Sequence, residues 1–159
     1  MSSTWPDVVS AAMKPSIRFV KEWSDEHVVE LRIAICDGTS LFVNRIYAGH
    51  DQLRNTVAGL RGFARQIEDG MFDLRFGEFG PQYASGAFEA RLRFRKHGKI
   101  LARVRAQSEF DVFEDENLAS EATLNLMSEP ALLDEFIRAL HALSQGTSPE
   151  AELEAIRWH

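Results

Sequence analysis

The chain has 159 residues, 45% of them hydrophobic and 26% charged, which is enough apolar sequence for one domain with a buried core. Its 18 Lys and Arg against 24 Asp and Glu leave a net charge of −6, and such an acidic chain is a poor general binder of nucleic acid or of an anionic membrane. The single cysteine, Cys36, excludes an internal disulfide framework and a cysteine-rich zinc module, and no apolar run approaches the ~20 residues of a membrane span. We therefore expect neither a nucleic-acid nor a membrane partner.

The chain is predicted to form a single domain over residues 16–159, preceded by a loose N-terminal lead over residues 1–15. The lead lacks both the basic start and the continuous apolar segment of a secretory signal. A lone cysteine suits a reducing compartment. We therefore expect a cytoplasmic protein.

Alternating apolar residues predict three antiparallel strands at the front of the domain. The pattern covers Ser16–Trp23, then residues 29–35, and then Thr39–Ala48. Between the second and third of these segments lies Asp37-Gly38, a dipeptide that readily adopts the positive φ of a tight turn. The second and third strands should therefore form a hairpin.

Four more strands are predicted in the second half of the chain: Phe72–Phe76, Phe88–Phe94, Ile100–Gln107 and Ala119–Met127. A three-residue loop at residues 96–98 would pair residues whose numbers sum to 194, so that apolar side chains of the two strands share one face. In this register Phe94 lies opposite Ile100 and Glu89 lies opposite Arg105. The loop then needs a left-handed residue at Gly98.

Three segments have helical patterns. In residues 51–70 an apolar residue recurs every three or four positions, at Leu53, Val57, Leu60, Ala64 and Ile67. Residues 128–146 begin with Ser-Glu-Pro, which suits a first helical turn, and end at a glycine, which suits the left-handed residue after a helix. A third, short helix is predicted from Ser148 to about Trp158.

The predicted fold is α+β, in the order βββ-α-ββββ-α-α. It has one antiparallel sheet of about six to seven strands, with helices packed on one face. Seven residues are predicted to be buried in its core: Phe88, Leu92, Phe94, Val104, Leu124, Phe136 and Leu140.

No segment carries the residue pattern of a known catalytic or cofactor site. The glycines at Gly77, Gly80 and Gly86 do not match a phosphate-binding fingerprint, and the five histidines lack metal-ligand spacing. Cys36 lies at the end of a predicted strand, and a small buried hydrophobic side chain is its predicted role. We therefore predict no enzyme activity, no cofactor and no metal.

Five arginines are predicted to share the outer face of one hairpin: Arg91, Arg93, Arg95, Arg103 and Arg105. This face could bind an anion, RNA or an acidic partner. The favoured interpretation is a solvated sheet face with cross-strand pairs between arginine and carboxylate, as the position of Glu89 opposite Arg105 indicates. The face lacks the interleaved aromatic residues that stack on bases, which disfavours nucleic acid.

A second charged segment is acidic, with aromatic residues between the acids: Glu109, Phe110, Asp111, Phe113, Glu114, Asp115 and Glu116. It is either a solvated loop or a surface that attracts a basic protein partner, with the aromatics as anchors. The two interpretations differ in what they predict for Phe110 and Phe113. Anchors should be exposed in the free protein, whereas residues of an ordinary loop should be packed under the sheet.

The order of four segments resembles a group of small bacterial domains. These segments are VVELRIAICDGTSLFV, DQLRNTVAGLRGFARQI, EARLRFRKHGKILARVRAQSEF and ATLNLMSEPALLDEFIRALHAL. The group has no known function and includes domains similar to immunity proteins of wall-associated contact toxins. The resemblance implies a protein that binds a toxin domain and carries no catalytic residues.

We therefore expect a non-enzymatic, cytoplasmic interaction domain of the immunity type, which sequesters a basic toxin domain. Two alternatives stay open. One is a ligand-binding or catalytic domain with a pocket between the sheet and the helices, and the other is a self-associating structural module. A homodimer is also expected, because the edge strands of an open sheet need covering.

Overall fold

The computed structural model describes residues 14–66, 70–80 and 85–156. This part of the chain contains ten strands and two α-helices, apart from one short 3-10 turn. In chain order they are β1 (Ser16–Ser24), β2 (Val28–Cys36), β3 (Leu41–Gly49), α1 (His50–Ala64), β4 (Met71–Gly77), β5 (Ala87–Phe94), β6 (Ile100–Gln107), β7 (Asp111–Phe113), β8 (Glu116–Leu118), β9 (Glu121–Ser128), α2 (Pro130–Ser144) and β10 (Glu150–Glu154). The predicted α+β class is confirmed.

The strands form two four-stranded sheets and a separate two-stranded hairpin, and all pairs are antiparallel. The first sheet has the order β10-β1-β2-β3, the second sheet has the order β4-β5-β6-β9, and β7 pairs with β8. The antiparallel pairing was predicted, but the single sheet of six to seven strands was not found. Alternation along a strand shows which side is buried, whereas its assignment to a sheet depends on partners that are distant in sequence.

The predicted register between β5 and β6 is confirmed. Phe94 lies opposite Ile100 and Glu89 lies opposite Arg105. In the connecting turn Gly98 has a φ of 72°, as that register requires, and His97 is also left-handed with a φ of 62°. The turn therefore contains two left-handed residues where the sequence predicted one.

One core joins both sheets and both helices. Its members are the inner faces of the sheets and the apolar stripes of α1 and α2, while the outer face of each sheet is largely exposed. Phe19 of the first sheet links the layers, because its ring lies 5.5 Å from that of Phe88 in the second sheet and 5.6 Å from that of Phe136 in α2. These aromatic contacts add to the stabilisation by apolar burial.

Six of the seven predicted core residues are buried: Phe88, Leu92, Val104, Leu124, Phe136 and Leu140. Phe94 is the exception, since it is only half-buried. It lies at the end of β5, where its ring stacks on Phe63 of α1 with the centroids 4.7 Å apart. Phe94 therefore closes the edge of the core rather than filling its centre.

The predicted third helix is wrong, because its central residues form strand β10. Ala151 and Leu153 of this strand are buried, and β10 pairs antiparallel with β1 along the edge of the first sheet. Outward-facing Glu150 forms an ion pair with Arg18 at 2.6 Å. The segment is rich in helix-forming Ala, Glu and Leu, but pairing with an open strand edge outweighs that weak local preference.

Some predicted residues lie outside the described part of the chain. They are residues 1–13 of the predicted N-terminal lead, Ile67 of the first predicted helix, and Trp158 at the end of the third. The first helix, α1, ends at Ala64 rather than at Gly70. The second ends as predicted, with Gly146 left-handed at a φ of 78°.

A buried amide connects the two sheets. The side chain of Asn44 in β3 donates hydrogen bonds to the carbonyl oxygens of Ala87 at 2.8 Å and Gln107 at 3.0 Å, where β5 begins and β6 ends. Beside it, a Cβ atom on Gly86 would lie 2.4 Å from the carbonyl oxygen of Arg45. The edge of the first sheet therefore approaches the second sheet too closely for any residue but glycine at that position.

Replacing Asn44 with alanine is expected to lower the free energy of unfolding by about 1–3 kcal/mol, because it leaves two buried carbonyl groups without their donor. Chemical denaturation of the purified variant measures this loss. Asn55→Ala is the matched control, since Asn55 is exposed on α1. We expect the control to change stability by no more than about 0.5 kcal/mol. Equal effects of the two substitutions would contradict the bridging role of Asn44.

Candidate functional site

The acidic segment forms a hairpin between β6 and β9. Strands β7 and β8 pair through Val112 and Asn117 and through Phe113 and Glu116, with Glu114 and Asp115 in the turn. At the base of the hairpin, the backbone amide of Ser120 donates to the hydroxyl of Ser108 at 2.9 Å. We call residues 109–118 the acidic hairpin.

Every residue from Asp111 to Leu118 is exposed. The side chains of Val112, Phe113 and Leu118 are 71%, 57% and 46% exposed, although all three are apolar. Phe113 thus has the exposure that an anchor requires, whereas Phe110 is half-buried. Sequence reasoning did not include Leu118 among the candidate residues, because only the hairpin register places it diagonally beside Phe113.

The turn of the acidic hairpin has unfavourable backbone geometry. Glu114 has a φ of 59°, which lies in the left-handed region that residues other than glycine rarely adopt. Such a conformation costs a residue other than glycine of order 1–3 kcal/mol. The turn therefore holds a carboxylate where glycine would fit with less strain.

A cleft of about 470 Å³ lies between the base of the acidic hairpin and the outer face of the first sheet. The sheet contributes Arg32, Val43 and Arg45, and the hairpin contributes Glu109 and Asp111. The hydroxyl of nearby Tyr47 donates to Glu30 at 2.8 Å. This hydrogen bond raises the pKa of Tyr47 above its ordinary value, and the Glu109 carboxylate adds a smaller effect in the same direction.

The outer side of β3 carries exposed apolar residues next to this cleft: Leu41, Val43 and Tyr47. The acidic hairpin and this side of β3 therefore meet at the cleft, and each of them carries exposed apolar residues. Residues so far apart in sequence gave no signal that they would meet.

All five arginines of the predicted basic face are exposed, and Arg91, Arg93, Arg103 and Arg105 lie in β5 and β6 as expected. Arg91 binds the carboxylate of Asp73 in β4 through two hydrogen bonds of 2.8 and 3.2 Å. The hydrogen bond from Arg91 and its charge hold the pKa of Asp73 below the ordinary value, against the opposing effect of partial burial.

The cross-strand ion pairs of this face differ in part from the predicted one. Glu89 lies opposite Arg105 in the register, but its carboxylate pairs with Arg75 on the other neighbouring strand at 3.6 Å. Arg105 instead approaches Glu121 at 3.7 Å and lies over the ring of Phe79, 4.2 Å from the centroid. The long arginine side chain can reach either neighbouring strand, so register alone does not decide the partner.

The described residues include no group of three or more His, Cys, Asp or Glu side chains placed to hold a metal ion. Neither described helix is long and apolar enough to cross a membrane. Cys36 is buried. Across residues 14–66, 70–80 and 85–156, every fully buried side-chain nitrogen or oxygen has a hydrogen-bond partner.

Comparison with known proteins adds no family to this description. No family model matches the chain, and neither a curated protein nor a solved structure matches it. The resemblance to immunity proteins therefore stays a prediction.

Proposed function

We propose that the protein is a non-enzymatic, cytoplasmic interaction domain that binds a basic protein partner through the acidic hairpin. The single observation that carries this proposal is the exposure of Val112, Phe113 and Leu118 among the acids of one hairpin. These three side chains are not part of the core that joins the two sheets, and exposed apolar groups of this kind are what interfaces bury at their centres.

The charges around these side chains support a partner of the opposite sign. Glu109, Asp111, Glu114, Asp115 and Glu116 all lie on or beside the exposed strands and their turn, and all are exposed. Clustered charges of one sign accelerate the approach of an oppositely charged protein, while buried apolar anchors slow its dissociation.

The partner class follows from the resemblance together with this surface. Immunity proteins of contact toxins bind the toxin domain and have no catalytic residues of their own. In the proposed complex a basic toxin domain would cover the acidic hairpin and so be sequestered.

Site-specific photo-crosslinking tests the proposal. A photoreactive amino acid placed at Val112 should capture one protein with a basic surface when the chain is expressed in the cells that produce it naturally. The same amino acid at exposed Asn55 of α1 is the matched control and should not capture that protein. The captured protein, once purified, should bind the unmodified chain with 1:1 stoichiometry in calorimetry. Equal capture from both positions, or a captured protein with an acidic surface, would contradict the proposal.

A further inference from the structure

The outer face of the second sheet contains a shallow depression of about 250 Å³ that is surrounded by cationic side chains. Its lining consists of Arg91, Arg103, Arg105, Thr123 and Glu89. The depression lies on a different surface from the acidic hairpin, and sequence reasoning favoured a merely solvated role for this face. We propose that it is a binding site for a small oxyanion, namely phosphate or the phosphate group of a small monoester.

Two of the three arginines are held in place by neighbouring groups. Arg91 is fixed by its two hydrogen bonds to Asp73, and Arg105 is held between Glu121 and the ring of Phe79. Glu89, the one acid in the lining, is turned toward Arg75. The guanidinium groups at the two sides of the depression are therefore positioned before any ligand arrives, which reduces the entropy lost on binding.

Arg103 lies on β6, two residues from Arg105 and next to Arg91 of β5, and it is the cation left for the ligand. Within the described part of the chain no carboxylate oxygen lies within 4.0 Å of its guanidinium nitrogens. Its direct partner in the register is Arg91, so two like charges face each other across neighbouring strands. Such a pair destabilises a sheet unless an anion bridges it.

The chemistry of the lining selects an oxyanion. Guanidinium groups bind phosphate through paired N–H donors in a planar fork, and the adjacent Thr123 hydroxyl supplies a further donor. The volume is below the range of pockets for drug-sized ligands, so it suits one phosphate group rather than a large molecule.

Titration with inorganic phosphate at constant ionic strength, followed by the arginine Nε–Hε NMR signals, tests this inference. The signals of Arg91, Arg103 and Arg105 should move together and saturate with one dissociation constant. Arg103→Gln should weaken binding about tenfold or more, while Arg103→Lys, which keeps the charge but loses the fork, should weaken it less. The matched control is Arg138→Gln, because Arg138 is exposed on α2, and it should leave phosphate binding unchanged.

Two further measurements distinguish free phosphate from a phosphate monoester as the ligand and exclude a general effect of salt. Phenyl phosphate binding more tightly than inorganic phosphate would assign the site to a monoester, and the reverse order would assign it to free phosphate. The Arg103→Gln variant should keep a thermal midpoint at or above that of the original chain in phosphate-free buffer, since it removes a repulsion. The inference is overturned if phosphate shifts the signals linearly, as sodium chloride would, if Arg103→Gln binds phosphate as tightly as the original chain, or if only an oligonucleotide binds.

Discussion

Replacing Leu92 with alanine is expected to lower the free energy of unfolding by about 2–5 kcal/mol. Leu92 is fully buried in β5, between Phe72 of β4 and Ala102 of β6. The substitution removes apolar atoms from a packed interior and leaves a cavity, because small Ala102 on the neighbouring strand cannot fill the space. Denaturant unfolding followed by circular dichroism measures the loss.

The matched control is the same substitution at Leu118, an exposed residue of the acidic hairpin. Leu118→Ala should change stability by no more than about 0.5 kcal/mol. A loss below that value for Leu92→Ala would mean that the β5 register is wrong. A large loss for Leu118→Ala would mean that the acidic hairpin is part of the fold's core rather than a surface feature.

Neutralising three acids at the tip of the acidic hairpin, by Glu114→Gln, Asp115→Asn and Glu116→Gln together, is expected to slow association with the basic partner about tenfold at low salt. The salt dependence of the association rate should become flatter, because fewer charges act on the approaching molecule. The thermal midpoint should hardly change, since exposed charges contribute little to stability. Stopped-flow binding measured over a range of salt concentrations checks all of these effects on the rate.

A second triple variant separates the position of the charges from their number. Glu150, Glu152 and Glu154 lie on β10, and replacing all three with glutamine changes the net charge by the same amount. If the acidic hairpin is the docking surface, this variant should associate at nearly the original rate. Equal slowing by the two variants would show that overall charge, and not the hairpin, attracts the partner. An unchanged rate in the hairpin variant would rule the hairpin out.

Features that depend on neighbouring residues in the chain could be predicted from the sequence. The β5–β6 register followed from alternating apolar residues and from a glycine placed where the short loop needs a left-handed residue, and all of these lie within residues 87–107. The left-handed glycine that follows α2, Gly146, was predicted for the same reason. The acidic and aromatic composition of the acidic hairpin could likewise be recognised in the sequence, because these residues follow one another in the chain.

The candidate surfaces could be predicted only in part. The sequence identified Phe113 and the acids around it, but the exposure of Leu118 depends on the pairing of β7 with β8. The cleft could not be predicted from the sequence, because it forms where residues near Val43 lie against residues near Glu109, which are distant in the chain. No local sequence pattern indicates that these two segments are in contact.

The sequence by itself therefore determined the α+β class, the inward faces of the strands, and a charged segment among apolar residues. Only the tertiary structure decided that the strands divide between two sheets and that residues 150–154 pair with β1 instead of forming a helix. It also decided that Glu89 pairs with Arg75 instead of with Arg105, which lies opposite it in the register. The physical reason is the same in each case. The local preferences of residues for helix or strand differ by less than about 1 kcal/mol per residue, so several local conformations are close in free energy. Contacts between distant segments then determine which of these conformations forms.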